Sequence, residues 1–481
     1  QAVALRQLDS VPGLGKMFLF TAGKKVAEKL FNYGTEQPRM FKMWLGPQPL
    51  VVATHPDVAR AILTRSKDFI KSTFNDSGKP RIMNILNTDA SGQQASIVTA
   101  NGEKWAAMRK PIDPAFEKQA LANLVPKFAA VSRQLIDIWA VSKETVDAKR
   151  DMSRFALDVL GVAVLGRTFN ALDGLFQETY NHYTRVMSQL IHPLYMVFPT
   201  LEQLPLLRNI KLRESAEHMR AILRGAVDQR LEERRQRAAA GIAEGEPQDM
   251  MDMLLGPGMN PDGVLQPGQL VPVLWIMFIA GHDTTAISLT WLMHFLAENP
   301  EVQAKARAEA LAVLDGASEP TPEMLDQVPY ISALINEGLR LRPPAYNIPT
   351  RECAEDTELD GVFLPKGTKI GLHIGAINRH PEAWDRPDEF DPERFLTKGD
   401  KSEKGPRVFN FLPFSAGPRR CLGDKFSLME QKTMLLMMLS RLEVLPERHT
   451  RLQDIALSSD SIAITLLQPR EMRVRVRPLG A

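Results

Sequence analysis

Two stretches of this sequence place chemically able side chains where ordinary packing would not put them. The first is Phe414-Ser415-Ala416-Gly417-Pro418-Arg419-Arg420-Cys421-Leu422-Gly423. A cysteine by itself is more often a small buried hydrophobe than a working group. Here two glycines and a proline predict an irregular loop that projects the sulfur, with two arginines beside it. Cations and oriented backbone N–H groups favour the thiolate, the form that binds iron. A helical pattern starts at Asp424, so a helix N-terminus points back at the sulfur. The second stretch is Ala280-Gly281-His282-Asp283-Thr284-Thr285, inside a long apolar helical pattern. Glycine and threonine are poor helix formers, and an acid in a core is costly. Such a helix can open its backbone bonds to water or a ligand, or it can be a polar kink. His282 reads as structural or solvent-facing.

A third pattern is ionic. Glu337 and Arg340 stand three apart on a helical pattern that ends at Pro343-Pro344, and Arg394 follows in Pro392-Glu393-Arg394-Phe395. An isolated pair of this kind is usually a surface contact of ~0.2–0.5 kcal/mol.

In this order the three elements resemble the cytochrome P-450 family, from about Pro12 to the C-terminus. The cysteine loop matches at Phe414, Gly417, Arg419, Cys421 and Gly423; Ser427, where the family often has alanine, is a mild departure. The resemblance implies haem b, with Cys421 as the axial ligand of the iron, Arg419 on a propionate and Phe414 beneath the thiolate. It implies Thr284 as the alcohol that hydrogen-bonds dioxygen and Asp283 as an acid that helps relay protons. Glu337, Arg340 and Arg394 become a buried group that holds the fold around the loop. Trp105 and Arg109, four apart on one helical face, match a haem-clamping pair, and Arg351 matches a further propionate position. Ser10-Val11-Pro12-Gly13 resembles the hinge that follows the anchor of membrane-bound members. Pro392 to Phe395 and the loop Lys398 to Arg407 are similar to microsomal-type members.

Elements must position these residues. Lys42 to Leu45 and Leu50 to Ala53 flank Gly46-Pro47-Gln48-Pro49 and predict two short strands. Pro56 opens a helical pattern with Val58, Ala59, Ile62 and Leu63. Helical patterns dominate from about Glu103 to Asn299. Arg220 to Ala240 is charged and polar, a solvated face, with a loop at Gly241 to Pro247. Leu270 to Glu298, the longest helical pattern, stops at Asn299-Pro300 and is apolar nearly all round in its first half, as a buried central helix is. Short strand candidates near Gly361 to Ile374 and Ile462 to Val476 alternate with turns. Without repeat or linker, the pattern predicts one α+β domain over residues 1–481, mainly helical; the resemblance implies that the central helix lies over the haem.

Composition narrows the function. The chain has 481 residues, 44% of them hydrophobic, and a net charge of +2, which argues against nucleic acid as a partner. Its two cysteines, Cys353 and Cys421, provide no disulfide framework. The longest apolar run, Val271 to Ala280, is far short of the ~18–20 residues that span a bilayer and contains Pro272. The first residue is Gln1. The expected location is the cytoplasm, or the cytosolic face of the endoplasmic reticulum if an anchor precedes Gln1.

By the resemblance, the pocket is walled by about Arg81 to Val98, by Trp275 to Thr284, by Ala345 to Pro349 and by Ile462 to Leu466. Ile276 and Ala280 supply apolar wall, and Tyr346 and Asn347 the polar contacts. Leu190 to Leu207 forms a roof, a peripheral membrane contact or ordinary core. A lipophilic small molecule is the expected substrate. No flavin or iron–sulfur motif is present, so electrons from NAD(P)H must come through a reductase, a flavoprotein or a ferredoxin. Lys104, Lys110, Arg420 and Lys425 are candidates for its docking face. The expected activity is monooxygenation, with oxidative coupling, isomerisation or dehydration on the same fold as alternatives, and a haem sensor as the non-enzymatic one.

Overall fold

The computed structural model describes residues 38–45, 48–72, 97–98, 100–142, 145–187, 201, 203–242, 246–256, 267–396, 407–458 and 466–480. Ser10 to Gly13, nearly all of Arg81 to Val98 and of Lys398 to Arg407, most of Leu190 to Leu207 and Ile462 to Ala463 through Thr465 lie outside them.

Helices α1 (Pro56–Thr64), α2 (Gly102–Arg109), α3 (Lys118–Ala122), α4 (Val125–Ala140), α5 (Ala148–Val164), α6 (Gln177–Met187), α7 (Leu207–Ala239), α8 (Met250–Leu255), α9 (Pro267–Glu298), α10 (Pro300–Leu314), α11 (Pro329–Leu341), α12 (Ile374–Ile377) and α13 (Asp424–Arg441) make up most of the described chain. Proline at the first helical position starts α1, α9, α10 and α11, where its missing N–H costs nothing. The helix containing Arg220 to Ala239 begins further back than its charge pattern indicates, at Leu207. Central helix α9 is long and apolar enough to cross a membrane, yet 67% of its most apolar window is buried within the protein, as in a core helix. It packs on α5, where a Cβ on Gly281 would sit 2.8 Å from the Leu160 Cδ2. Glycine therefore permits the close approach of the two helices at the Ala280–Thr285 stretch.

The smaller sheet part has strands β1 (Met40–Leu45), β2 (Gln48–Ala53), β3 (Phe69–Lys71), β4 (Val146–Asp147), β5 (Asn347–Cys353), β6 (Thr357–Leu359), β7 (Val362–Leu364), β8 (Lys369–His373), β9 (Leu442–Pro446) and β10 (Arg473–Pro478). The main sheet has the order β1-β2-β8-β5-β3, with β2 parallel to β8 and the other neighbours antiparallel. A second sheet runs β4-β10-β9. The β6–β7 hairpin turns on Asp360 (φ 52) and Gly361 (φ 77), two positive φ values that suit a tight hairpin. One hydrophobic core joins the helices around α9 and α13, and a smaller one sets α1 against the main sheet. The chemically able loop lies at their border. Gly417, with φ 72, faces α1, and a Cβ there would meet the Leu63 carbonyl oxygen at 2.6 Å.

Candidate active site

Cys421 opens into a cavity of about 380 Å³ lined chiefly by α9, the cysteine loop and α13. Its backbone N–H donates to the Phe414 carbonyl at 2.9 Å, which closes the loop upon itself. Burial pushes the Cys421 thiol up, whereas the Gly423 backbone N–H and the Arg109 and Arg420 charges draw it down. Arginines and the start of α13 thus do not by themselves outweigh burial, and a metal cation at the sulfur would favour the thiolate. Phe414 and Gly423 line the same cavity; Gly423 faces the Phe116 ring at 3.8 Å from an added Cβ.

On α9, Ile276, Met277, Ala280 and Thr284 form wall. Thr284 Oγ1 donates to the Ala280 carbonyl at 2.6 Å, so the hydroxyl is held against the helix at the position where it faces the cavity. Thr285 Oγ1 lies 2.9 Å from Ser427 Oγ, and Gln431 joins Ser427 at 3.0 Å to Ser288 at 2.7 Å. The serine that departs from the family pattern is therefore part of a polar strip tying α9 to α13. Asp283 is not on the described cavity wall. Its carboxylate accepts from Tyr183 Oη at 2.7 Å and lies 3.1 Å from His282 Nδ1. His282 is fully buried rather than solvent-facing.

Cations gather along one rim. Trp105, Arg109, Arg351 and Arg419 all reach the cavity, joined by Lys71, which the sequence reading missed. The Arg419 guanidinium stacks 4.2 Å from the Trp105 ring centroid and donates to the Ile97 and Ala100 carbonyls and to Asn101 Oδ1. Arg109 donates to Asp113 and to the Arg420 carbonyl. Arg351 follows a register irregularity between β5 and β8, a device that re-aims side chains, and its buried Nε has no hydrogen-bond partner among the described residues. Burial lowers Arg351 to about 10 and, with Arg351 and Arg109 adding to it, Arg419 to about 10. Burial beside Arg351 and Arg419 brings the Lys71 ammonium down to about 7. No described carboxylate pairs with Lys71, Arg351 or Arg419. The rim calls for anions. Lys71 escaped notice because it belongs to a three-residue strand; Asn101 at the start of α2 clasps its backbone with two 2.9 Å bonds and so brings β3 to the rim.

Tyr346 and Asn347 correct an expectation. Tyr346 is fully buried against His373 and neither residue is on the described cavity wall, which Pro344 and Ala345 supply instead. Residues adjacent along the chain point different ways once β5 begins. Of the fourth expected wall segment only Leu466 is described, bridged to Ala345.

Glu337 is the hub of the ionic group. Arg340 donates to both its oxygens at 2.7 and 2.8 Å, Arg394 Nε to Oε1 at 3.1 Å and the Asp391 N–H at 2.9 Å. Glu337 and Arg340 are fully buried, and Arg340 also binds the Pro387 and Glu389 carbonyls. The group thereby fastens α11 to the segment before the cysteine loop. At the surface, Lys104 and Lys110 are exposed, but Lys425 pairs with Glu117 and Arg420 with Asp424, which leaves the expected basic face partly neutralised. Away from the cavity, His55, His380 and Glu382 cluster with metal-ligating atoms together; there Arg39 Nη1 already sits 2.9 Å from His55 Nε2.

A sulfur donor, apolar walls and a cationic rim fit a planar apolar group that carries a metal at its centre and carboxylates at one edge, as haem does. Comparison with known proteins agrees. The family model described as Cytochrome P450 matches residues 6–474. Cytochrome P450 72A552 of Barbarea vulgaris is 31% identical over 414 residues, covering 83% of this chain and 74% of that protein. Cytochrome P450 97B2, chloroplastic, of Glycine max is 29% identical over 469 residues, covering 88% and 78%. Echinocystic acid 23-monooxygenase of Saponaria officinalis is 27% identical over 416 residues, covering 83% and 75%.

Proposed function

The chain belongs to the cytochrome P450 family, and from that premise we propose that it hydroxylates or epoxidises a lipophilic small molecule at the Cys421 cavity, within one domain spanning residues 1–481. In that reaction one oxygen atom of dioxygen enters the substrate. The other leaves as water after two electrons and two protons arrive. The observation that carries the reading is the coincidence, in one apolar cavity, of Cys421 with the cations Lys71, Arg351 and Arg419.

Haem b, when bound, supplies the oxygen and redox chemistry. Cys421 holds its iron, and Phe414, Gly417 and Gly423 shape the loop around the sulfur. Arg419, Arg351, Trp105, Arg109 and Lys71 hold its carboxylates through charge-assisted bonds. The Thr284 hydroxyl, released from the Ala280 carbonyl, donates into the cavity, and Asp283, held by Tyr183 behind that wall, would supply a proton only after leaving Tyr183. Ile276, Ala280 and Met277 exclude water and receive apolar substrate. Glu337, Arg340 and Arg394 take no part in the chemistry and keep the loop in register. Electrons from NAD(P)H come through a flavoprotein or ferredoxin reductase, in the cytoplasm or at the cytosolic face of the endoplasmic reticulum.

Titrating the ferric protein with fatty acids, steroids, terpenoids and aromatic alkaloids tests the substrate class. A blue shift of the Soret band is expected with a lipophilic class. Turnover of a polar, water-soluble compound in preference to every lipophile would contradict the reading.

A further inference from the structure

Away from the cavity, three side chains that no step above uses converge where β2 passes into α1. His55, the residue before Pro56, is buried, and His380 and Glu382 come from the turn that follows α12. One ligand atom from each lies within 4.8 Å of the others, and the two imidazoles meet edge to face at 4.6 Å. His55 Nε2 and Glu382 Oε2 are already 3.1 Å apart. Bonds of roughly 2.1 Å to a tetrahedral zinc set ligand atoms about 3.4 Å apart. A small inward movement of His380, or of the exposed Glu382, therefore completes the set. Both sides of the site are anchored. His55 caps α1, its Nδ1 accepting the Asp57 N–H at 3.1 Å. The turn is held by the Ala383 and Trp384 N–H groups on the His380 carbonyl, by Trp384 Nε1 on the Asn410 carbonyl and by Arg394 on the Asp385 carbonyl.

His55 Nε2 has conflicting neighbours. The Glu382 carboxylate beside it accepts, whereas Arg39 Nη1, 2.9 Å away, only donates. While Nδ1 accepts from Asp57, the hydrogen of a neutral ring is on Nε2 and meets the Arg39 N–H. With that hydrogen on Nδ1 instead, the Asp57 N–H and the Glu382 carboxylate are both opposed. A ring with both hydrogens opposes both donors. A metal cation at Nε2 removes the conflict through two adjustments. Arg39 turns Nη1 away while its Nε and Nη2 stay on Asp360, at 2.9 and 3.1 Å. The ring hydrogen, now on Nδ1, goes to the Asp57 carboxylate, 3.8 Å from that nitrogen. The result is the carboxylate–imidazole–metal order that orients ligands in metal centres. Acids also outnumber bases here: Glu382, Asp57 and Asp360 stand against Arg39 and, on the far oxygen of Asp57, Arg60. Burial, with His55 beside it, holds the His380 ring below its ordinary value, so a lone pair is available at neutral pH.

We propose that His55, His380 and Glu382 bind one divalent transition-metal ion of the zinc class, with water completing its coordination. Two imidazoles and one carboxylate select zinc, nickel or copper over magnesium and calcium, which prefer oxygen ligands throughout. The ion ties the start of α1 to the turn after α12. Because α1 lies against Gly417 of the cysteine loop, it braces the frame of the cavity and takes no part in the oxygen chemistry.

Equilibrium dialysis of the tag-free, haem-loaded protein against zinc, with the metal counted by mass spectrometry, tests the site. The parent is expected to take up one zinc ion per chain at a saturable site, and to melt at a higher temperature with zinc than without it. Glu382→Gln and His380→Gln lie where solvent reaches, and an unaltered Soret band checks that each is folded. Each is expected to weaken zinc at least about tenfold, the loss that even a change one layer outside the ligands produces. Arg39→Gln removes the competing donor and is expected to bind zinc more tightly. His449→Gln, at the surface contact with Glu298, is expected to leave uptake unchanged. No saturable uptake by the parent would overturn the proposal, as would uptake undiminished in both ligand variants or lost in His449→Gln.

Discussion

At the scale of single residues, the least expected participant is Lys71. A lysine beside Arg351 and Arg419, drawn down to about 7 by burial and by those two cations, is unfavourable unless anions complete the cluster. Haem carboxylates would do so. Lys71→Met should therefore release haem faster, by about tenfold, the lower end for a charge-assisted bond of roughly 1.5–3 kcal/mol. Transfer of haem to excess apomyoglobin measures this directly, and an unchanged release rate would remove Lys71 from the clamp. The arginines at this rim were readable as residues because they stand in motifs with fixed neighbours. Lys71 was not, since nothing in Phe69–Lys71 announces that Asn101, across the sheet edge, will fold it against the rim. Tyr346 and Asn347 fail for the converse reason: closeness along the chain to a wall segment does not decide which side a strand residue faces.

At the scale of elements, the contact between α9 and α13 matters most, because both helices wall the Cys421 cavity. Thr285, Ser288, Ser427 and Gln431 join them through hydrogen bonds. Among these polar groups Glu430 stands apart, fully buried with neither carboxyl oxygen in a well-formed hydrogen bond. Burial raises its acid well above the ordinary value, with Thr285 opposing only in part. An acid raised in the folded state favours folding fully below its unfolded value of about 4.3 and progressively less as pH rises towards the folded one. Glu430→Gln has no proton to lose. Its stability relative to the parent should grow from pH 5 upward, as thermal melts at several pH values would show, and a pH-independent difference would refute the assignment. The helices themselves were foreseeable: proline starts, the apolar circumference of α9 and the end at Asn299-Pro300 are local signals. The beginning of α7 at Leu207 was not, for the charge pattern that marks the helix covers only its exposed half.

For the whole molecule, the two cores explain why the motifs must be so far apart in sequence. The helical core carries α9 and α13, the sheet core carries α1, β3 and β5, and the cysteine loop is laid between them by Gly417 against Leu63 and by the Glu337 hub. Cys421 and the cationic rim therefore come from both cores, and neither core would assemble the cavity alone. The order of motifs along the chain was visible without coordinates. The way the acid on α9 is held by α6 was not, because Tyr183 carries no pattern until the helices meet. Cys421, and not Cys353, is the proposed ligand of the iron. Cys353 is buried in the sheet core and burial raises its thiol to about 12. The direct measurement is the absorption spectrum of the reduced, carbon monoxide-bound protein for Cys421→His and Cys353→Ser. The red-shifted Soret band of a thiolate-ligated haem should survive in Cys353→Ser and move to the imidazole-ligated position in Cys421→His. Retention of the thiolate band in Cys421→His would contradict the account.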